Sequence, residues 1–349
     1  QGSQYFAKAR TILLIAMPIL LMAANILWGS LDIPLGAMPD ILLGKEIEGH
    51  PSWSYIVWHS RVPQMLTATF CGAALATCGL LLQTAFRNPL AGPSILGIDS
   101  GASLGVAVAM MLFGGSITMG NLSLGGYAFT ILAALAGAVG IMVLLSVLNA
   151  MLRSTVMLLI TGVIISYITG SLISLLQFWA SHDGLQAYVL WGMGNFSSVS
   201  TERLPVFIGL VSIGLVMALL MMKPLDALLL GDRYAQNLGV DTTRTRHMLL
   251  LATGLLSAIT TAFCGPISFI GLATPHIARF ISPSGSHRSL LPQTMALGAS
   301  IALLCNLLCN LPQSSVLPIN VLTPLIGAPV IVYHTLAPTL SAKMGRGKK

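Results

Sequence analysis

The chain has 349 residues, 55% of them hydrophobic and 8% charged, with a formal net charge of +7 and a mean hydropathy of +0.86. Soluble domains carry about a quarter charged residues, so this composition excludes a water-soluble globular protein and describes an integral membrane one. Cys71, Cys78, Cys264, Cys305 and Cys309 all lie within apolar runs and show no CxxC spacing. They read as small packing residues, not as a disulfide framework or a metal site.

A spanning helix takes about 20 mostly apolar residues, and such runs recur along the whole length, which a single cleavable leader would not produce. The opening QGSQ has the look of a processed end and is left out of the fold. Cutting at polar, proline and glycine clusters predicts ten crossings: 11–28, 62–82, 95–113, 126–148, 156–180, 204–222, 248–263, 264–281, 290–311 and 319–337. The eighth is irregular, because Pro266 and Pro275 bracket only ISFIGLAT, and a broken helix needs its freed backbone groups satisfied by neighbours or a wet cavity. No repeat of fixed period is present. The fold class is therefore all-α, one polytopic membrane domain over 1–349.

Loop charge sets the orientation. With a cytoplasmic N-terminus, Lys8, Arg10, Arg87, Arg153, Lys223, Arg233, Arg244, Arg246, Arg279, Arg288, Lys343, Arg346, Lys348 and Lys349 fall inside, and Lys45, Arg61 and Arg203 outside. That asymmetry follows the positive-inside rule and puts both termini in the cytoplasm. The net positive charge is thereby explained without nucleic acid.

One polar island interrupts the second half. KPLDALLLGDRYAQNLGVDTTRTRH, residues 223–247, carries Lys223, Asp226, Asp232, Arg233, Asp241, Arg244 and Arg246. Apolar Leu228, Leu229, Leu230, Ala235 and Leu238 are followed by Gly239, Asp232 stands near the start of a second helical stretch and Gly231 separates the two, which predicts two short helices joined by a glycine turn. A plain solvated connector is the bland reading. An amphipathic pair outside the bilayer needs something to cover its apolar face, and a soluble partner suits it.

GDRYAQNLGV (231–240), RNPLAGPSILGIDSGASLG (87–105), GPISFIGLATPHIAR (265–279) and LPINVLTPLIGAPVIV (317–332) together resemble the FecCD/BtuC-like permeases of bacterial ABC importers for iron-siderophores, haem and cobalamin, in order and spacing from about 55 to 335. The resemblance implies a type II importer architecture of ten helices per subunit in a homodimer within the inner membrane. It also implies a cytoplasmic ABC ATPase dimer docked on the loop between helices six and seven, and a periplasmic or lipid-anchored binding protein delivering substrate. Leu230, Gly231, Asp232, Arg233, Ala235, Leu238 and Gly239 then become ATPase-coupling residues. Cofactors are none in this chain; ATP and Mg belong to the partner ATPase, since no Walker A motif occurs here. A bulky chelate or corrin calls for a wide pathway lined by weakly polar groups, for which Ser94, Ser103, Gln177 and Asn195 are candidates. The substrate itself is selected largely by the binding protein; family frequency favours an iron chelate over cobalamin.

The remaining motifs carry bland readings beside functional ones. GASLG (101–105) matches a nucleophile-elbow pattern formally but lacks a preceding strand and triad partners, so Gly101 and Gly105 read as a small-residue packing face. In NPLAGPSILG (88–97), Asn88 and Pro89 begin a bent entry to a helix bordering the pathway. Gly271, Pro275, His276 and Arg279 read as gate or structural residues of the broken helix, Arg279 snorkelling toward water. No metal site is expected there, for want of a second ligand at metal spacing. His50, His59 and His182 fall in outward loops where haem could touch them. Asp99, the one acid close to a span, reads as a helix cap. An ion-coupled secondary transporter is the alternative, weakened by the lack of intramembrane acids; a membrane hydrolase lacks HExxH or paired aspartates.

Family members carry RLPR at the outer end of helix two and an Asp-x-x-x-Arg pattern near helix nine, thought to meet glutamates of the binding protein. This chain has RVPQ (61–64) and NLLCN (306–310), with Gln64 and Asn310 where arginines are expected and Asn306 in place of the acid. Arg61 and Arg203 remain as docking candidates, the alternative for Arg61 being a helix-end anchor.

Overall fold

A computed structural model describes the backbone of residues 2–45, 47, 49–114, 116–119, 122–151, 155–282, 285–311 and 316–346, with side chains over the same stretches except 2–12, 116–119, 122–125, 150, 155 and 333–346. Arg153, Lys348 and Lys349, used above for orientation, lie outside the described residues, as do the side chains of Lys8, Arg10, Lys343 and Arg346.

The chain opens with α1 (Gly2–Leu27), followed by two short helices, α2 (Met38–Leu42) and α3 (Pro51–Ile56). A π-turn over Val57–Arg61 joins α3 to α4 (Val62–Ala85), making one apolar rod of 35 residues. Next come α5 (Ile98–Leu112), a hairpin of β1 (Ser116–Met119) and β2 (Leu122–Gly125), α6 (Tyr127–Met151), α7 (Thr155–Trp179) and α8 (His182–Gly192). The hairpin is antiparallel, with Ser116 opposite Gly125 and Met119 opposite Leu122, and is the one departure from an all-helical chain among the described residues. The second half runs α9 (Leu204–Leu220), α10 (Met222–Leu229), α11 (Asp232–Asn237), α12 (Thr242–Cys264), α13 (Ile270–Ile281), α14 (His287–Asn310) and α15 (Ile319–Arg346).

Each of the ten predicted crossings coincides with one helix: α1, α4, α5, α6, α7, α9, α12, α13, α14 and α15. Among the described residues five helices are long and apolar enough to cross a membrane unaided, and a sixth forms if α9 and α10, bent by 51°, count as one span. Of the other predicted crossings, α5 and α13 are short helices, and α1 and α15 show shorter apolar stretches over Leu13–Leu27 and Ile319–Val332 among the described side chains. Alpha-helix is the rule because no water inside a bilayer can serve an unpaired peptide group.

Burial separates a core from a periphery. The apolar window of α4 is 83% buried and that of α12 78%, whereas α6 and α7 are 22% and 28% buried, so their outer faces are left for lipid or another subunit. The core helices approach closely through small residues: a methyl on Gly79 of α4 would stand 1.6 Å from the Gly271 carbonyl oxygen of α13. On α5, one on Gly105 would lie 2.0 Å from the Ala133 carbonyl of α6, and one on Gly101 would lie 2.6 Å from that of Gly137. GASLG is thus a packing face, as its lack of triad partners implies.

Two amides explain NLLCN. Asn306 Nδ2 donates to Asn25 Oδ1 at 2.8 Å, Asn25 Nδ2 donates to the Leu303 carbonyl at 3.0 Å, and Asn310 Nδ2 donates to the Asn306 carbonyl at 2.9 Å. All three are buried. This chain clamps α14 to α1 with neutral groups.

Candidate functional site

The break before α13 organises the first part of the site. Gly265 turns with φ +80° and Phe269 takes φ +67°, an unusual value for a residue with a side chain. Between them the backbone is unwound, and its groups are served mainly by Asn320 of α15. Its Oδ1 accepts from Ser268 N at 3.2 Å and its Nδ2 donates to the Pro266 carbonyl (2.5 Å), while a second Nδ2 bond reaches the Gly192 carbonyl at the end of α8 (3.0 Å). Asn195 N adds a bond to the Cys264 carbonyl at 2.8 Å. Asn320 was not singled out from the sequence; an amide in an otherwise apolar run within LPINVLTPLIGAPVIV was the available signal.

Beside this break lie two cavities of about 210 Å³ and 290 Å³ that share Ser94, Ile267 and Ser268 in their walls. The larger is lined by Ser94, Asp99, Ser100, Ser103, Ser166, Ser268 and Tyr188 together with apolar residues. Ser94 and Ser103 are therefore brought together as proposed pathway residues. Gln177 and Asn195 line neither cavity: Gln177 sits two residues from the end of α7, and the Asn195 side chain is spent locally, accepting from Ser197 N and Oγ at 2.8 Å each.

Asp99 corrects its sequence reading. The N-terminal residue flanking α5 is Gly97, in the left-handed region at φ +77°, and no side chain caps it. The Asp99 carboxylate instead turns into the bundle, 9% exposed. Ser257 and Thr261 of α12 donate hydroxyls to its Oδ1, the latter at 3.2 Å, and Ser94 donates to its Oδ2 at 3.1 Å.

A second polar assembly lies where α4, α10, α13 and α14 end together. His287, 1% exposed, sits between Asp226 Oδ1, 2.7 Å from its Nδ1, and Thr84 Oγ1, 2.8 Å from its Nε2. Asp226 accepts further from His287 N (2.7 Å) and Ser286 Oγ (2.9 Å). One residue along α4, Gln83 accepts from Arg279 Nη1 at 2.6 Å and donates to the Leu272 carbonyl at 3.2 Å. His276 Nε2 stands 2.9 Å from the Pro89 carbonyl, while the Asn88 side chain closes its own turn on Leu90 N. The proposed gate residues Asn88, Pro89, Gly271, Pro275, His276 and Arg279 thus form one contiguous region, wired through Gln83, Thr84 and His287 to α10.

From α10 the chain enters the island. Gly231, at φ +107°, separates α10 from α11 as the glycine break implies, because a residue with a Cβ is strained there. Ala235 is fully buried, packed with Ala227 and Leu228 at the centre of the helix pair, so among the predicted coupling residues it holds the pair together and presents no surface. Leu229, Leu230, Tyr234 and Leu238 are exposed, with Arg233 and Gly239 beside them. Asp232 pairs with Arg246 of α12 at 2.6 Å, and Asp241 caps α12 by accepting from Arg244 N at 3.0 Å, fixing the loop on the rod that follows.

At the opposite end of α4, Arg61 departs from the role of a rim charge. It is 5% exposed. Its Nη1 donates to the carbonyls of Ile26 (2.8 Å) and Leu27 (2.9 Å), and its Nη2 to that of Leu31 (2.5 Å). The guanidinium caps the C-terminus of α1, where cations are favoured; Gly29 lets it approach, since a methyl there would stand 2.9 Å from Arg61 Nε. Arg203 is half-buried, its guanidinium 4.6 Å above the Tyr127 ring. His50, His59 and His182 are exposed, His50 stacked on Trp53 and His59 on Tyr55.

Comparison with known proteins decides the family: residues 14–337 match the model of the FecCD transport family. The chain belongs to that family. It is 36% identical over 281 residues to the vitamin B12 import system permease protein BtuC of Klebsiella pneumoniae, covering 80% of this chain and 82% of that one. The BtuC of Salmonella typhi is 35% identical over 313 residues, 88% and 93% of the two chains. In structure it is similar to a metal-chelate type ABC transporter in an inward-facing conformation, with a TM-score of 0.80, 28% identity and coverage of 93% of this chain and 99% of that one. PsaBC of Streptococcus pneumoniae, at 13% identity and a TM-score of 0.53, shares the fold alone. This FecCD-family chain is accordingly a BtuC-like, membrane-spanning permease of an ABC importer, a transport subunit and not an enzyme.

Proposed function

We propose that this permease forms a homodimer in a bacterial inner membrane, with both termini cytoplasmic, and moves a metal chelate or a corrinoid inward at the expense of ATP hydrolysed, with Mg, by a separate ATPase dimer. The substrate class is supported by two likenesses: the curated relatives are named for vitamin B12 import, and the structural relative is of metal-chelate type. A periplasmic or lipid-anchored binding protein would deliver the substrate to the end of the bundle opposite the island. The observation that carries the ATP-driven reading is the island itself, a helix pair braced by Ala235 and the Asp232–Arg246 ion pair that leaves Leu230, Tyr234 and Leu238 uncovered. Exposed apolar side chains held on a rigid mount suit a protein partner.

Motion of α10 would reach the pathway through Asp226, His287 and Thr84 to α4, and through Gln83 to α13. An ion-coupled secondary transporter offers no account of the island. Leu238→Asp and Gly239→Pro test the reading: each should abolish co-purification with the ATPase or uncouple hydrolysis from uptake, while the permease still inserts. Full ATPase binding and full transport in both variants would remove it.

A further inference from the structure

The cavity beside the broken helix holds something the import reading does not require. Its lining residues are serines, apolar groups, Tyr188 and Asp99; among them and the residues lining the adjoining cavity, Asp99 is the one charged side chain. A carboxylate at membrane depth is costly unless it is used, and a fold needing only an α5–α12 tie could obtain one from a neutral amide or hydroxyl, as α1 and α14 do through Asn25 and Asn306.

Each of the three groups bonded to Asp99 is a hydroxyl able to donate: Ser94 from the cavity wall, Ser257 and Thr261 from behind. Such a set satisfies a carboxylate as an acceptor at both oxygens, and no arginine or lysine lines either cavity to neutralise it. Resting on the import reading above, we infer that Asp99 is a specificity residue of the translocation cavity, favouring passage of cationic or neutral chelates over anionic ones. A fixed negative group in a wall of low dielectric attracts a cationic substrate and opposes an anionic one. The surrounding serines supply weak, replaceable hydrogen bonds to the rest of the chelate, so that attraction does not become retention.

The test uses the permease assembled with its ATPase in proteoliposomes and one preparation of binding protein. Two iron(III) trishydroxamates built on one backbone, one ending in an ammonium and one in a carboxylate, are taken up by the wild type, Asp99→Asn and Asp99→Ser. Dividing the two rates within each permease, and comparing that ratio across permeases, cancels the binding protein's own preference. The ammonium-to-carboxylate ratio should fall about tenfold in both variants, the size of one partly screened charge interaction across a cavity wall. Equal losses for both chelates would make Asp99 a structural tie and overturn the inference, as would an unchanged ratio. Wild-type uptake of cobalamin but of neither chelate would also overturn the inference, whereas uptake of none of the three would fail at the import reading itself.

Discussion

Replacing Arg61 by methionine separates its two readings, helix cap and docking charge. The substitution keeps much of the stem and removes the fork, with its three bonds to the carbonyls of Ile26, Leu27 and Leu31. A hydrogen bond to a charged group contributes about 1.5–3 kcal/mol when its partner is then left unmade, which sets a ceiling of several kcal/mol for three. Two features lower it. The bonds share one guanidinium and are not additive, and a cavity of about 330 Å³ lined by Leu27, Trp28, Gly29, Leu31 and Asp32 admits water to the freed carbonyls. The expected loss is about 2–4 kcal/mol, with Arg61→Lys intermediate because an ammonium keeps the charge and loses the fork. Denaturant midpoints of the purified permease measure the loss, and binding-protein association at low and high salt is followed in parallel. If Arg61→Met is as stable as the wild type while association slows and loses its salt dependence, Arg61 docks the partner and the capping account is wrong.

Other substitutions probe the remaining parts of the frame. Asn320→Leu removes three bonds, two to the unwound segment before α13 and one to the Gly192 carbonyl of α8, and should lower stability by about 2–4 kcal/mol, read from the unfolding midpoint. Asp226→Ala leaves His287 and Ser286 without their acceptor, so uptake per ATP hydrolysed should drop while membrane insertion is retained; unchanged stoichiometry would place transmission elsewhere. Asn306→Leu abandons Asn25 Oδ1 between α1 and α14 at a cost of about 1–2 kcal/mol by the same midpoint measurement. Gly79→Val drives a branched side chain into the Gly271 backbone and should prevent correct assembly altogether, seen as loss of the monodisperse peak in detergent.

The sequence located helices well because bilayer chemistry leaves few alternatives. Ten apolar runs correspond to ten helices, and the stretch bracketed by Pro266 and Pro275 marks the place where the structure is broken. The island was legible too, since Gly231 and Gly239 punctuate a charged stretch in an oily chain, and both have positive φ. What could not be read was the direction of single polar side chains. Asp99 at the start of an apolar run has the pattern of a cap, and only the crossing of α5 with α12 shows it turned inward to Ser257 and Thr261. Arg61 next to a loop has the pattern of a surface charge, yet the carbonyls that bury it belong to a helix ending more than thirty residues earlier. Ala235 and Leu238 are both apolar positions of one short helix region; packing on Ala227 and Leu228 decides that the first is core and the second surface. Asn320 stayed hidden because its partners come from two distant segments, the end of α8 and the stretch before α13.

The central claim is that this permease moves its cargo by ATP hydrolysed on a partner bound at residues 223–247. It is tested most directly by uptake of a binding-protein-delivered chelate or corrinoid into proteoliposomes holding the permease and its ATPase. Uptake should require ATP on the side of the island and continue at the same rate when an uncoupler collapses the proton gradient. Uptake that proceeds without ATP, or that stops with the uncoupler while ATP is held constant, would contradict it.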